Sequence, residues 1–186
     1  MERRVKSSNQ VIIFVFFILF LVWILLQFIA PFALPNSSIK DLSGVTGVSD
    51  NEDVIDDMSF PWNSVYRCGD RLCHQKAERS FFLNGNQMPF CSRCTAIWIG
   101  LTIGLFLMFI FKIALNEKFL ILLIIAVIPV GIDGLGQLFG LWESTNIIRV
   151  ITGLLIGFVC GMGIGFIIDE SADLIKERLI KKRKRN

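Results

Sequence analysis

Three cysteines and the single histidine of this chain lie close together, at Cys73, His74, Cys91 and Cys94. Three thiolates and one imidazole are a known tetrahedral ligand set for zinc, and the C-x-x-C spacing of Cys91 and Cys94 is a common half-site. Adjacent residues of an extended strand point to opposite sides, so Cys73 and His74 can share one metal only if the backbone turns there. Cys68 could replace one of them. We therefore predict a zinc site whose ligands are Cys73, His74, Cys91 and Cys94.

A disulfide is the main alternative at these cysteines. Thiols outside the cytoplasm tend to oxidise, and four cysteines allow three pairings. Thiol redox exchange through Cys91 and Cys94 is a further alternative. The histidine beside Cys73 favours the metal, because a disulfide does not require it.

Polar residues within apolar sequence form a second candidate group. Asp133 and Gln137 are four residues apart and share one helical face. A carboxylate inside a membrane is costly and needs a partner, for which Arg149 is the natural candidate. The following turn contains Glu143, and Ser144 or Thr145 is positioned to cap the next helix.

Arginines accompany both groups, and they suit an anionic ligand such as phosphate or a lipid headgroup. A metal beside them could polarise a phosphoryl oxygen. Asp133 or Glu143 could serve as acid or base. The candidate catalytic residues are therefore Asp133, Glu143, Arg79, Arg93, Arg149 and Gln137.

Four apolar segments must position these residues. Residues 11–30, 95–111, 119–138 and 147–168 are each apolar and long enough to approach or span a hydrocarbon core of about 30 Å. The fold class is therefore an all-α membrane protein, a four-span transmembrane helix bundle with an external Cys/His-containing loop. Glycines recur every four residues in the last span, at 153, 157, 161 and 165, which predicts close approach of another helix.

Basic residues indicate the orientation of the bundle. Arg3, Arg4 and Lys6 precede the first span, Lys112 and Lys118 flank the turn between the second and third, and a basic run follows the fourth. Four spans place all three sets on one side, which the positive-inside rule makes the cytoplasm. We predict a multi-pass protein of the cell membrane with both termini cytoplasmic. The basic tail then contacts anionic lipid headgroups of the bilayer rather than nucleic acid.

The chain divides into four predicted segments. Residues 1–34 are the cytoplasmic N-terminus and first span, and residues 35–66 form an acidic, flexible external loop. Residues 67–168 contain the Cys/His motif and three spans, and residues 169–186 are the basic cytoplasmic tail.

The motifs resemble a known family. Cys73-His74-Gln75, Arg79-Ser80-Phe81-Phe82-Leu83, Gly85-Asn86-Gln87-Met88-Pro89, Cys91-Ser92-Arg93-Cys94-Thr95, Asp133-Gly134, Gln137, Glu143-Ser144-Thr145-Asn146, Arg149 and Thr152-Gly153 are similar to the pattern of the small archaeal and bacterial membrane proteins called domain of unknown function 2085. The resemblance covers about residues 65–165. Ala96 departs from it, since glycine is expected there. The resemblance implies a membrane protein and supports the site residues, but it implies no activity.

Several functions fit this pattern. The first is a metal-assisted hydrolase or transferase that acts on a phosphorylated or lipid-linked anionic substrate. A metal-ion handling or transport protein is an alternative, and so is a structural subunit whose external loop is stapled by zinc or a disulfide. The chain could also form a homo-oligomer.

Overall fold

The computed structural model describes residues 2–3, 8–42, 44–113 and 116–183. Its elements in chain order are β1 (Glu2–Arg3), α1 (Ser8–Ala33), α2 (Glu52–Asp56), α3 (Trp62–Leu72), a 3-10 turn (Ala77–Arg79), β2 (Ser80–Leu83), β3 (Asn86–Cys91), α4 (Ser92–Ile110), β4 (Phe111–Lys112), α5 (Glu117–Leu138) and α6 (Asn146–Arg183). Within these described residues, four helices are long and apolar enough to cross a membrane, which confirms the predicted fold class. The basic residues Arg4, Lys6, Lys184 and Arg185 lie outside the described residues.

The four long helices alternate in direction. Near the start of α1, the side chain of Gln10 donates a hydrogen bond to the carbonyl oxygen of Phe109 at the end of α4 (3.1 Å). Asn9 donates to the carbonyl oxygen of Asp169 in α6 (3.5 Å). The beginning of α1, the α4–α5 turn and the later part of α6 therefore lie at one end of the bundle. We call the other end, where α4 and α6 begin, the cysteine end.

Glycines hold α4 and α6 together. A Cβ atom added to Gly153, Gly157 or Gly161 of α6 would collide with a carbonyl oxygen of α4. Gly100 and Gly104 of α4 meet the backbone of α6 in the same way. The glycine stripe read from the sequence is therefore a helix contact, as predicted. This contact fixes the positions of the first turns of α4 and α6.

Aromatic side chains attach α1 to the rest of the bundle. The ring of Trp23 in α1 packs edge-on against Phe90 of β3 and Trp98 of α4, with ring centroids 6.0 and 6.1 Å apart. Such edge-to-face pairs add to the free energy gained by burying the rings. They connect the first span to the cysteine end.

The segment 35–66 differs from the expected flexible loop. It contains α2 and the start of α3, and it buries Ile39, Leu42, Ile55, Met58 and Val65 in a core of its own with Tyr66 and with Ala30 of α1. The apolar residues of this core are few and irregularly spaced among acidic residues, so the sequence pattern does not predict the core. We call residues 35–72 the cap, and it covers the cysteine end.

Strands β2 and β3 form an antiparallel hairpin that the sequence analysis did not predict. Asn84 and Gly85 form its turn with φ of 52° and 70°. An Asn-Gly pair favours this two-residue turn with positive φ at both positions. The hairpin carries the chain from the 3-10 turn to the start of α4.

Candidate metal centre and cationic cavity

Three thiols meet at the cysteine end. Cys73 directly follows α3, Cys91 ends β3, and Cys94 lies in the first turn of α4. Their sulfur atoms all lie within 4.8 Å of one another. Four-coordinate zinc has Zn–S bonds of about 2.3 Å, which corresponds to S···S distances of about 3.8 Å. The cluster therefore fits a soft or borderline metal ion in its choice of atoms and in its size.

Close contact between α3 and β3 brings Cys73 to the other two cysteines. A Cβ atom on Gly69 would collide with the carbonyl oxygen of Pro89. The same carbonyl accepts a hydrogen bond from the side chain of Gln75 (2.7 Å), which is buried and has a φ of 44°. The turn after Cys73 is thereby tied to β3.

Buried Gln87 ties the hairpin to the cap. Its side-chain oxygen accepts a hydrogen bond from the main-chain N–H of Leu42 (2.9 Å), and its nitrogen donates to the hydroxyl of Ser80 (3.2 Å). Its own carbonyl oxygen accepts a hydrogen bond from the hydroxyl of Tyr66 (2.7 Å). Buried amides with their partners in place specify one arrangement of the chain. The thiol cluster thus sits on a scaffold of fixed polar contacts.

Electrostatic interactions within the cluster favour negative charge on one sulfur. A hydrogen bond from the thiol of Cys73 lowers the pKa of Cys91 well below its usual range, and Cys94 and the first main-chain N–H groups of α4 act in the same direction. The interaction with Cys91 raises the pKa of Cys73. A thiolate is the form that binds metals. A thiolate is therefore favoured within the cluster, where a cation can bind it.

A cationic cavity of about 170 Å³ adjoins the cluster. All three cysteines line it, together with Arg79, Arg93, Arg149, Lys76, His74, Gln137, Thr46 and Leu72. Apart from any negative charge on the cysteine sulfurs, the charged side chains that line this cavity among the described residues are all basic. The cavity therefore combines metal ligands with donors for an anion.

Asp133 joins α5 to α4. Its side chain is 6% exposed and forms an ion pair with Arg93. It also accepts hydrogen bonds from Gln137 (3.2 Å) and from the indole N–H of Trp142 (3.4 Å). A buried carboxylate requires such partners. The expected partner was Arg149, so the observed ion pair with Arg93 is a correction.

Arg149 instead contacts neutral groups. Its guanidinium donates to the side-chain oxygens of Gln137 (3.2 Å) and Asn146 (3.3 Å). Asn146 also accepts a hydrogen bond from the hydroxyl of Ser92 (2.8 Å). Thr145, as expected, caps α6, since its hydroxyl accepts a hydrogen bond from the main-chain N–H of Ile148 (3.3 Å). Arg149 reaches the same cavity as the thiols because the glycine contact holds the first turn of α6 against that of α4.

Comparison with known proteins agrees with this architecture. The profile of a family described as "Predicted membrane protein (DUF2085)" matches residues 73–163. An uncharacterised protein of Methanocaldococcus jannaschii is 43% identical over 100 residues, which cover 50% of this chain and 62% of that protein. An uncharacterised protein of Methanothermobacter thermautotrophicus is 40% identical over 86 residues, which cover 46% of this chain and 78% of that protein. The chain belongs to the DUF2085 family. No solved structure matches it.

The matched region of this DUF2085 protein contains most of the predicted site. The structure brings together Cys73, Cys91, Cys94, Arg79, Arg93, Arg149, Gln137 and, behind them, Asp133. His74 lines the same cavity but lies outside the group of three sulfurs. Cys68 is not part of that group either. Glu143 is exposed on the turn between α5 and α6. His74 and Glu143 are therefore the predicted site residues that the structure leaves apart from the cluster.

Three residues near the site were not predicted from the sequence. Lys76 adds a fourth cation to the cavity, and Trp142 covers Asp133 by packing on Gly136. Gly69 allows the contact that positions Cys73. The sequence does contain a signal for Gly69, which is a glycine inside the amphipathic helix α3. Glycine weakens a helix, so a glycine at such a position usually allows close packing.

Proposed function

We propose that this membrane protein binds a zinc-type metal through Cys73, Cys91 and Cys94 and that it is a metal-assisted hydrolase or transferase. Its substrate would be a phosphorylated or lipid-linked anion held in the cationic cavity. The observation that carries the proposal is the presence of three clustered thiols in the wall of a cavity lined by three arginines and a lysine.

The number of protein ligands supports a reactive metal. Catalytic zinc sites keep three protein ligands and an open fourth position, whereas structural sites are closed. When bound, the metal would supply Lewis-acid polarisation of an oxygen. His74 remains a predicted fourth ligand, and its coordination would close the site.

Arginines in the cavity support binding of an anion. The Nε atoms of Arg79 and Arg93 are buried and have no hydrogen-bond partner among the described residues. Nε of Arg79 lies 3.7 Å from the carboxylate of Glu78, which is too far for a hydrogen bond. Buried donors without partners are costly, and a phosphate oxygen would satisfy them.

The polar residues behind the cavity have separate proposed roles. Asp133 and Gln137 contact Arg93 and Arg149, so they would orient the guanidinium groups toward the anion. Asp133 is also a candidate acid or base, as is Glu143 if the exposed turn between α5 and α6 bends toward the cavity.

We also propose the orientation of the bundle in the membrane that the basic residues predict. The cysteine end would face outward from the cell membrane, and both termini would lie in the cytoplasm. Arg178 and Lys181 extend α6 beyond its apolar part. They suit anionic lipid headgroups at the inner surface.

The first test is metal content. Full-length protein would be purified in detergent without added metal, and its zinc and free thiols would be counted. We expect about one zinc per chain. The double variant Cys91→Ser/Cys94→Ser should lose it, and Cys160→Ser, at an exposed cysteine of α6, should keep it. A metal-free protein with oxidised cysteines would contradict the site.

The activity requires a separate test. Zinc-loaded protein in nanodiscs would be assayed for phosphate release or headgroup transfer from phosphatidate, with Arg149→Gln as the variant and Lys40→Gln as the surface control. Metal binding without any turnover would leave the metal site in place and reject the enzyme.

A structural metal is the second candidate. The three sulfurs come from α3, β3 and α4, so one ion would cross-link the cap to the bundle. In that case chelation should lower the melting temperature and increase proteolysis of the cap, and no anion should bind.

A further inference from the structure

A second cavity lies between α5 and α6 and differs in character from the cationic one. Its volume is about 460 Å³, and apolar side chains form most of its wall. The lining residues are Pro129, Ile132, Trp142, Ile148, Ile151 and Thr152, with Asp133. We call it the apolar groove. It lies between the parts of these two membrane-spanning helices that are nearer the cysteine end.

The groove and the cationic cavity meet at one group of polar side chains. Asp133 lines the groove, and its carboxylate contacts Arg93 and Gln137, which line the cationic cavity. The apolar groove and the arginines of the cationic cavity are therefore neighbours.

The groove opens sideways, where the hydrocarbon of a bilayer would lie. Ile132 on α5 and Ile151 on α6 are 57% and 54% exposed although both lie in membrane-spanning helices. A hydrocarbon chain could therefore enter from the bilayer without crossing water.

We propose that the ligand of the cationic cavity is an anionic lipid whose phosphorylated head contacts Arg79, Arg93 and Arg149 and whose hydrocarbon chain lies in the apolar groove. The inference rests on the proposed function, since it names the substrate class of the same site. Charge complementarity selects the anionic head, and the continuity of the groove with the bilayer selects the chain. A soluble phosphate compound would use the cavity but leave the groove to bulk lipid.

The test compares two probes that share a head. Metal-loaded full-length protein in phosphatidylcholine nanodiscs would be titrated with radiolabelled dodecyl phosphate and methyl phosphate. We expect dodecyl phosphate to bind about tenfold more tightly. Ile132→Trp, which fills the groove, should abolish that difference and leave binding of methyl phosphate unchanged.

Matched variants separate the groove from the bilayer. Ile125 lies two turns away on the same helix and is also 57% exposed. Ile125→Trp should preserve the preference for dodecyl phosphate, and Ile151→Trp, on the opposite wall, should reduce it. Arg149→Gln should weaken both probes.

Two results would overturn the inference. If both probes bind alike, or if Ile125→Trp acts like Ile132→Trp, the chain does not use the groove, and the proposed function still stands with a soluble anion. If zinc is bound but neither probe binds, the anion site itself fails, and the lipid inference fails with it.

Discussion

Helix α6 meets its neighbour α4 along glycines, and near the cysteine end it meets its neighbour α5 through polar side chains. In the apolar, membrane-spanning part of α4, 44% of the residues are buried inside the protein, compared with 17% in the corresponding part of α5. The contact with α4 brings two backbones together, whereas the contact with α5 near the cysteine end is made by the side chains around Asp133. The difference separates two tasks: the rigid pair positions the cysteines and Arg149, and the open side leaves space for a ligand.

The largest effect should follow from a side chain placed in the glycine contact. Gly157→Leu forces α6 away from the carbonyl oxygen of Ile97, and we expect a loss of more than about 3 kcal/mol or failure to fold. Gly163→Leu is the control on the same helix, since a Cβ atom there meets nothing within 4 Å among the described residues. Thermal unfolding in detergent measures both. Equal losses in the two variants would remove the distinction between the two sides of α6.

A glycine of the cap should show a smaller effect, confined to the metal. Gly69→Ala pushes α3 away from Pro89 and separates Cys73 from Cys91. We expect the zinc affinity to fall by about tenfold or more. Gly134→Ala on the open α5 should leave it unchanged. Competition with a chromogenic chelator provides the readout, and unchanged affinity in Gly69→Ala would show that α3 is not needed to place the thiol.

The sequence predicts the membrane-spanning half of the molecule well and the cap poorly. Uncharged apolar runs identify the four helices, and the spacing of Gly153, Gly157 and Gly161 identifies the contact with α4, because both signals are local. The core of the cap combines Ile39, Ile55 and Tyr66 from distant positions. No periodic pattern marks such a core, so it is read as a flexible loop.

The same division holds for the site. The cysteines and arginines stand out by residue type, and topology alone places them at one end. Pairing is harder to predict: Arg93 and Arg149 both lie in the first turn of a helix, and the structure pairs Asp133 with Arg93. Trp142 packs against Gly136 and donates a hydrogen bond to Asp133, and no spacing rule predicts this contact.

The ion pair of Arg93 with Asp133, which connects α4 to α5, can be tested by a double-mutant cycle. Arg93→Gln and Asp133→Asn should be coupled by about 1–3 kcal/mol, because each variant leaves the other charge partly buried without its partner. The coupling of Arg149→Gln with Asp133→Asn should be smaller. Thermal unfolding of the single and double variants gives both values. A larger coupling to Arg149 would restore the pairing expected from the sequence.

The smallest effect concerns the cap, where the chain's single tyrosine gives an unambiguous signal. Burial raises the pKa of Tyr66 above its ordinary value, so tyrosinate absorbance should not develop in folded protein near pH 10. A raised pKa in the folded state contributes stability that is complete below the ordinary pKa and is lost as the pH rises through the folded-state pKa. Tyr66→Phe should cost about 1–2 kcal/mol, because the buried carbonyl oxygen of Gln87 loses its donor. Ordinary titration near pH 10 before unfolding would mean that the cap is open to water, and the packed side of the comparison would then be limited to α4 and α6.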